Sequence, residues 1–194
     1  MKKSTYNIPL LLTAGRMILA PAVVPLCIFW FWPLSINWVH IALGIFFVLI
    51  SLTDFLDGLL ARWLSQETLV GRLLDPLADK CLIIAALIAL QAVGAVGFMW
   101  VIVLVLREIF VMGMRYIARE QGVTIAVSWR GRLKTWLQMI FITYVLAAPG
   151  LIDSPALYDI GFYVLILLTV AASLYSAYRY YQAYIANVLS AHEF

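Results

Sequence analysis

Charge is what this sequence has least of. Asp, Glu, Lys and Arg make up 12% of its 194 residues, against roughly 25% in an ordinary soluble domain. Hydrophobic residues make up 65%, and the mean hydropathy is +1.00. So few charges cannot cover a water-facing surface, and one core cannot hide so much apolar area, which excludes a soluble enzyme. A disordered tail needs the polarity this chain lacks, and eleven glycines are far too few for a collagen-like fibre. Cysteine is almost missing: Cys27 and Cys81 lie inside apolar runs, have no metal-ligand spacing, and read as small buried hydrophobes. Nor is there a basic stripe of the kind that binds nucleic acid. The net charge of +3 comes from Lys and Arg gathered near the ends of apolar runs, as in membrane proteins. What is present is long uncharged sequence: 37 residues from Met17 to Thr53 and 26 from Cys81 to Leu106. A spanning helix needs about 20 apolar residues and a barrel strand only about 10, alternating. These runs are continuous, so the sequence predicts an all-α polytopic membrane protein.

Turn signals divide it into six spans. Lys2 and Lys3 precede an apolar stretch, as in a secretory signal. That stretch carries Arg16 and three prolines and continues to about Trp32, which predicts a short interfacial segment followed by helix 1. Asn7-Ile8-Pro9 reads as its start, with Asn as cap and Pro in the first turn. Pro33-Leu34-Ser35 breaks the long run, so helix 2 covers about Asn37 to Arg62. Helix 3 covers about Leu69 to Ala92, helix 4 Phe98 to Glu120, helix 5 Arg132 to Ala147 and helix 6 Ala156 to Tyr184, all in one domain of residues 1–194. The connections at 31–38, 93–97 and 148–156 contain no Lys or Arg. The opposite face collects Lys2, Lys3, Arg16, Arg62, Arg72, Arg115, Arg119, Arg130, Arg132, Lys134 and Arg179, which places it and both termini in the cytoplasm.

Four carboxylates stand out against this background: Asp54, Asp57, Asp75 and Asp79. Each is costly in a membrane, by a contested few kcal/mol. Solvated helix ends would account for Asp75, before Pro76, but poorly for the set. Asp54 and Asp57 are three apart and Asp75 and Asp79 four apart, so each pair shares a helix face. Helices 2 and 3 are joined by a short loop, so the two pairs can converge. Four ionised carboxylates would then repel unless some took up protons or cations. Hard oxygen ligands of this kind suit two Mg²⁺ or Mn²⁺ ions. Gly58 and Ala61 either continue the stripe, leaving room for a close backbone approach, or serve helix packing. Arg62 is either an interfacial anchor or a phosphate ligand, and Thr68 either a helix cap or a phosphate contact.

The spacing Asp54-x₂-Asp57-Gly58-x₂-Ala61-Arg62-x₈-Gly71-x₃-Asp75-x₃-Asp79 resembles the full signature of the CDP-alcohol phosphotransferases, eight positions at fixed intervals. The resemblance implies a six-helix enzyme of the bacterial cytoplasmic membrane, a homodimer, with a binuclear metal site open to the cytosol. It implies that the four aspartates hold the metals and that Asp79 is also the general base. Gly58, Ala61, Arg62, Thr68 and Gly71, with Asn7 and Thr13 near the amino terminus, would bind the CDP part of the donor.

The acceptor is read from basic residues elsewhere. Arg107 and Glu108 interrupt helix 4, Arg115 follows eight residues on, and Lys134 opens helix 5 with Gln138 a turn later. Arg107 and Glu108 are either an internal ion pair or, with Lys134 and Arg115, part of a cationic pocket for a phosphorylated acceptor. Lys134 is a membrane anchor on the first reading. Asn7-Ile8-Pro9 with Thr13 and Arg16, Leu74 to Lys80, Arg107-Glu108 and Lys134-Thr135-x₂-Gln138 resemble the phosphatidylglycerophosphate synthase branch of the family, except that Leu10 stands where that branch often has Asn. That resemblance implies CDP-diacylglycerol and glycerol 3-phosphate as substrates. Inositol phosphate, serine or phosphatidylglycerol are the other acceptors in the family's range. Acids and bases inside a membrane also mark ion-coupled transporters, but transport sites lie near the midplane and these aspartates map to the cytoplasmic end. His40 and Trp38 read as interfacial residues, and the tyrosines from Tyr175 to Tyr184 as anchors at the cytoplasmic end of helix 6.

Overall fold

A computed structural model describes the backbone of residues 8–63, 69–120 and 129–191, and the side chains of residues 20–53, 80–118 and 133–186. Six α-helices and two short 3₁₀ turns account for nearly all of it, and no strand occurs among the described residues. The helices are α1 (Ile8–Phe31), α2 (Asn37–Trp63), α3 (Leu69–Ala92), α4 (Phe98–Glu120), α5 (Trp129–Ala147) and α6 (Pro155–Ala191). The expected interfacial segment is not a separate piece: α1 is continuous from Ile8, with Pro21 and Pro25 inside it. Each of those prolines removes one N–H from the helical ladder. Side chains one turn apart, Ala20, Val24 and Ile28, are all buried, and that packed stripe holds the helix across the prolines. The predicted helix 6 proves too short at its carboxyl end, and helix 5 begins three residues before Arg132.

The chain divides into two compact units, Met1–Val96 with Ile142–Ser154, and Gly97–Phe141 with Pro155–Phe194. In the first, α3 packs mainly along α1, while α2 packs on α1 and on the turn after α5 and touches α3 less among the described residues. Buried stripes at four-residue spacing, Val39, Leu43 and Phe47 on α2 and Leu82, Ala86 and Leu90 on α3, form an apolar core. Two turns fix the helix ends. At Trp32-Pro33-Leu34 the chain makes a 3₁₀ turn, and Ser35 after it adopts a left-handed conformation with φ 52°. After α3, Gly94 takes φ 74°, its N–H bonds to the Gln91 carbonyl at 3.0 Å, and the Ala95 N–H bonds to the Leu90 carbonyl at 2.8 Å. That pair of bonds is the Schellman closure, and it satisfies carbonyls that the helix end leaves open. Gly44 admits Ala147 so closely that a Cβ on it would lie 2.6 Å from the Ala147 Cβ. A Cβ on Gly150 would run into the carbonyl oxygen of Asn37.

In the second unit α4 packs along α6. Val101, Leu104, Val111, Met114, Ala118, Phe141 and Ile166 supply its apolar core, with Phe141 and Phe162 meeting edge to face at 5.5 Å. Polar side chains are buried among them, as described below. Its outer surface is apolar instead: Leu157, Ile160, Val164, Leu167, Leu168 and Leu174 of α6 are all exposed. Among the described residues, α6 is long and apolar enough to cross a membrane from Pro155 to Ala186, and at 1.5 Å per residue its 37 residues extend about 55 Å. Ala20–Leu34, Asn37–Thr53 and Lys80–Ala92 are shorter apolar stretches.

Candidate active site

The signature residues fall on two helices. Asp54, Asp57, Gly58, Ala61 and Arg62 lie in the last turns of α2, and Gly71, Asp75 and Asp79 in the first turns of α3, with residues 64–68 between. Their side chains, like those of Thr13 on α1, lie outside the described residues, as do Asn7 and Thr68 altogether. The helical backbone at both pairs gives the i,i+3 and i,i+4 spacings on which a shared face depends. Four carboxylates as donor set fit hard divalent cations such as Mg²⁺ or Mn²⁺ and not a soft metal. Among the described residues, no three of His, Cys, Asp or Glu come together to hold a metal.

The second group of polar residues is fully visible and lies inside the Gly97–Phe141/Pro155–Phe194 unit. Arg107 and Glu108 on α4, and Lys134 on α5, are 5%, 4% and 6% exposed. Glu108 Oε1 accepts from Arg107 Nη1 at 2.9 Å and from Lys134 Nζ. Arg107 Nε donates to the Ser173 carbonyl of α6 at 2.8 Å, so the cluster ties together three helices. Two cations thus share one carboxylate. Burying ionised groups costs several kcal/mol each unless they are paired and hydrogen-bonded. Among the described residues the pairing leaves an excess of positive charge, which is the electrostatic condition for binding an anion such as a phosphate.

More polar atoms surround the cluster without being used up by it. Gln138 stands one turn beyond Lys134 on α5 and is 2% exposed, yet its Nε2 has no hydrogen-bond partner. Ser173 is 1% exposed, and its hydroxyl is likewise unpartnered. An unsatisfied buried donor costs roughly 1–3 kcal/mol. Thr169, one turn before Ser173, is satisfied: it donates to Leu165 O at 2.7 Å and reaches Leu137 O at 3.4 Å. Arg115 lies half-buried on α4, 5.6 Å from the centre of the Tyr180 ring, within cation–π reach, and its buried Nε has no partner.

Several expectations change at this level. Arg107 and Glu108 do form an internal ion pair, and Lys134 joins it instead of serving as a surface anchor. His40 does not face outward: it is buried, with its ring edge-on to Trp32 at 4.5 Å and Nδ1 unpartnered. Trp38 remains exposed. Cys27 and Cys81 are free and only half-buried. Ser173 drew no attention in the sequence, where it is one small polar residue in an apolar helix. Its only signal is the cost of a hydroxyl at that depth.

Comparison with known proteins agrees with the signature. Residues 6–186 match the family described as CDP-alcohol phosphatidyltransferase, and this chain belongs to it. It is therefore an enzyme, one that moves a phosphatidyl group from a CDP-activated donor. A Bacillus subtilis (strain 168) protein is 35% identical over 176 residues, 86% of this chain and 91% of its own length. That protein is named CDP-diacylglycerol–glycerol-3-phosphate 3-phosphatidyltransferase. An Escherichia coli (strain K12) protein of the same name is 35% identical over 152 residues, 75% of this chain and 80% of its own length.

Proposed function

We propose that this enzyme transfers the phosphatidyl group of CDP-diacylglycerol to glycerol 3-phosphate, giving phosphatidylglycerol phosphate and CMP. The observation that carries the acceptor is the buried cluster in which Arg107 and Lys134 outnumber Glu108, in a chain whose relatives are named for a phosphorylated acceptor. Arg107, Lys134 and Arg115 bind the acceptor phosphate. A zwitterionic acceptor such as serine has less use for three cations. Gly58, Ala61, Arg62, Thr68 and Gly71, with Asn7 and Thr13, bind the CDP portion of the donor. Asp54, Asp57, Asp75 and Asp79 would hold two divalent cations, Mg²⁺ or Mn²⁺, which would offset the charge of the donor diphosphate. Asp79 takes the proton of the acceptor hydroxyl, whose oxygen attacks the phosphorus bearing the diacylglycerol. The bond from that phosphorus to the CMP oxygen breaks, and CMP leaves without a covalent enzyme intermediate.

A lipid donor also explains the outer surface. The exposed leucines and isoleucines of α6, and exposed Leu26, Phe29 and Trp30 of α1, suit hydrocarbon and not water. We place the six helices across the bacterial cytoplasmic membrane as one domain, with both termini and the active site on the cytoplasmic side, in a homodimer. The test is a panel of acceptors with purified enzyme and CDP-diacylglycerol. CMP release is expected with glycerol 3-phosphate and Mg²⁺ or Mn²⁺, and to stop when the cations are chelated. Equal release with serine, inositol phosphate, phosphatidylglycerol or free glycerol overturns the acceptor assignment.

A further inference from the structure

Gln138 and Ser173 are two uncharged buried groups, among the described residues, that the ion cluster leaves unused. We propose that Gln138, assisted by Ser173, reads the hydroxyl of the acceptor that does not react. Three observations lead there. The Gln138 amide nitrogen is buried with nothing to donate to, in a side chain 2% exposed. It follows Lys134 by one turn on the same face of α5, so a ligand phosphate held at Lys134 carries its next polar group within a turn's rise. The hydrogen bond from Thr169 to Leu137 sets α5 against α6, and places Ser173 a turn along from that contact, where its carbonyl already holds Arg107. A neutral amide and a hydroxyl match a neutral alcohol, whereas the cations match the phosphate.

This inference rests on the phosphorylated acceptor proposed above. Glycerol 3-phosphate has two hydroxyls, and when the less hindered primary one attacks, the secondary one is a bystander. A site built to hydrogen-bond a hydroxyl discriminates against an analogue without it, because its own donor is then left unpaired. The analogue is 3-hydroxypropyl phosphate, which keeps the phosphate and the primary hydroxyl and lacks the secondary one. The wild-type enzyme is expected to prefer glycerol 3-phosphate by about tenfold or more in kcat/KM. Gln138→Met and Gln138→Leu replace the amide with apolar groups of similar volume, which removes an unsatisfied donor and preserves packing. Both are expected to unfold at the wild-type temperature or above. Their kcat/KM for glycerol 3-phosphate should fall to the value for the analogue, which itself stays unchanged, so the preference disappears. A preference retained in a folded variant, or an equal loss with both acceptors, overturns the role of Gln138 and leaves the acceptor assignment standing. A wild-type enzyme that turns over neither phosphate ester overturns both.

Discussion

The two compact units spend their polar residues in opposite ways. In the Met1–Val96/Ile142–Ser154 unit the described core is apolar apart from His40 and Ser51, and the four signature carboxylates belong to the ends of α2 and α3. In the other unit an Arg, a Glu and a Lys are buried in mid-bundle and hold three helices together. Carboxylates gathered on one local stretch of two helices leave the rest of the unit free to build an ordinary apolar core. Charges in the middle of a bundle must be neutralised by partners from other helices, and those partners then fix the geometry of the site. The contrast is between the group we propose as catalytic, carried on one local stretch of chain, and the group we propose for binding, assembled from three distant ones.

Removing the group assigned to proton transfer is the most severe way to test that contrast. Asp79→Asn keeps size and polarity but cannot accept the proton, and turnover is expected to fall by roughly 10²–10⁴-fold. The thermal unfolding temperature should barely move, since an Asn of the same size replaces the Asp in the helix. CMP release and thermal unfolding measured on one preparation check both statements, and a parallel loss of stability would show that the first unit also depends on its charges for folding.

Glu108→Gln tests the second unit. It leaves Arg107 and Lys134 buried without their shared carboxylate, and breaking a buried ion cluster of this kind costs about 3–5 kcal/mol. The expected readout is a large drop in unfolding temperature. Added glycerol 3-phosphate should raise the variant's unfolding temperature more than the wild type's, because its phosphate supplies the missing anion. Gly150→Ala brings the comparison back to the apolar unit. Its new Cβ meets the backbone carbonyl of Asn37, which cannot rotate away as a side chain would, and overpacking of this sort costs about 1–3 kcal/mol. Chemical denaturation should show a lower midpoint with the slope unchanged.

How much of this was legible in the sequence follows the same division. The signature lies within residues 54–79, so its spacing and its helical faces could be read directly, and the breaks at Pro33 and Gly94 carry their own turn chemistry. Residue order says nothing about which way a basic side chain turns. Lys134 at the start of a helix satisfies the positive-inside pattern whether it reaches out to the interface or in to Glu108, 26 residues away. The bond from Arg107 to Ser173 joins positions 66 residues apart and uses a backbone carbonyl, which leaves no mark on residue type. His40 hides its direction for a related reason: it stands two residues after exposed Trp38, yet its own ring turns inward to Trp32.

Lys134 is also where the smallest effect is expected, because the cluster is partly redundant. Lys134→Ala removes one of the cations on Glu108, and the carboxylate keeps its bond from Arg107 Nη1. The fold should therefore suffer less than in Glu108→Gln. The phosphate of the acceptor is bound both before and during reaction, so a lost contact to it weakens ground and transition states alike. The acceptor KM is then expected to rise by about tenfold, corresponding to ~1.4 kcal/mol, with kcat and the KM for CDP-diacylglycerol nearly unchanged. A fall in kcat at constant KM would mean that Lys134 acts on the reacting atoms, and the separation of duties between a catalytic pair of helix ends and a buried binding cluster would not hold.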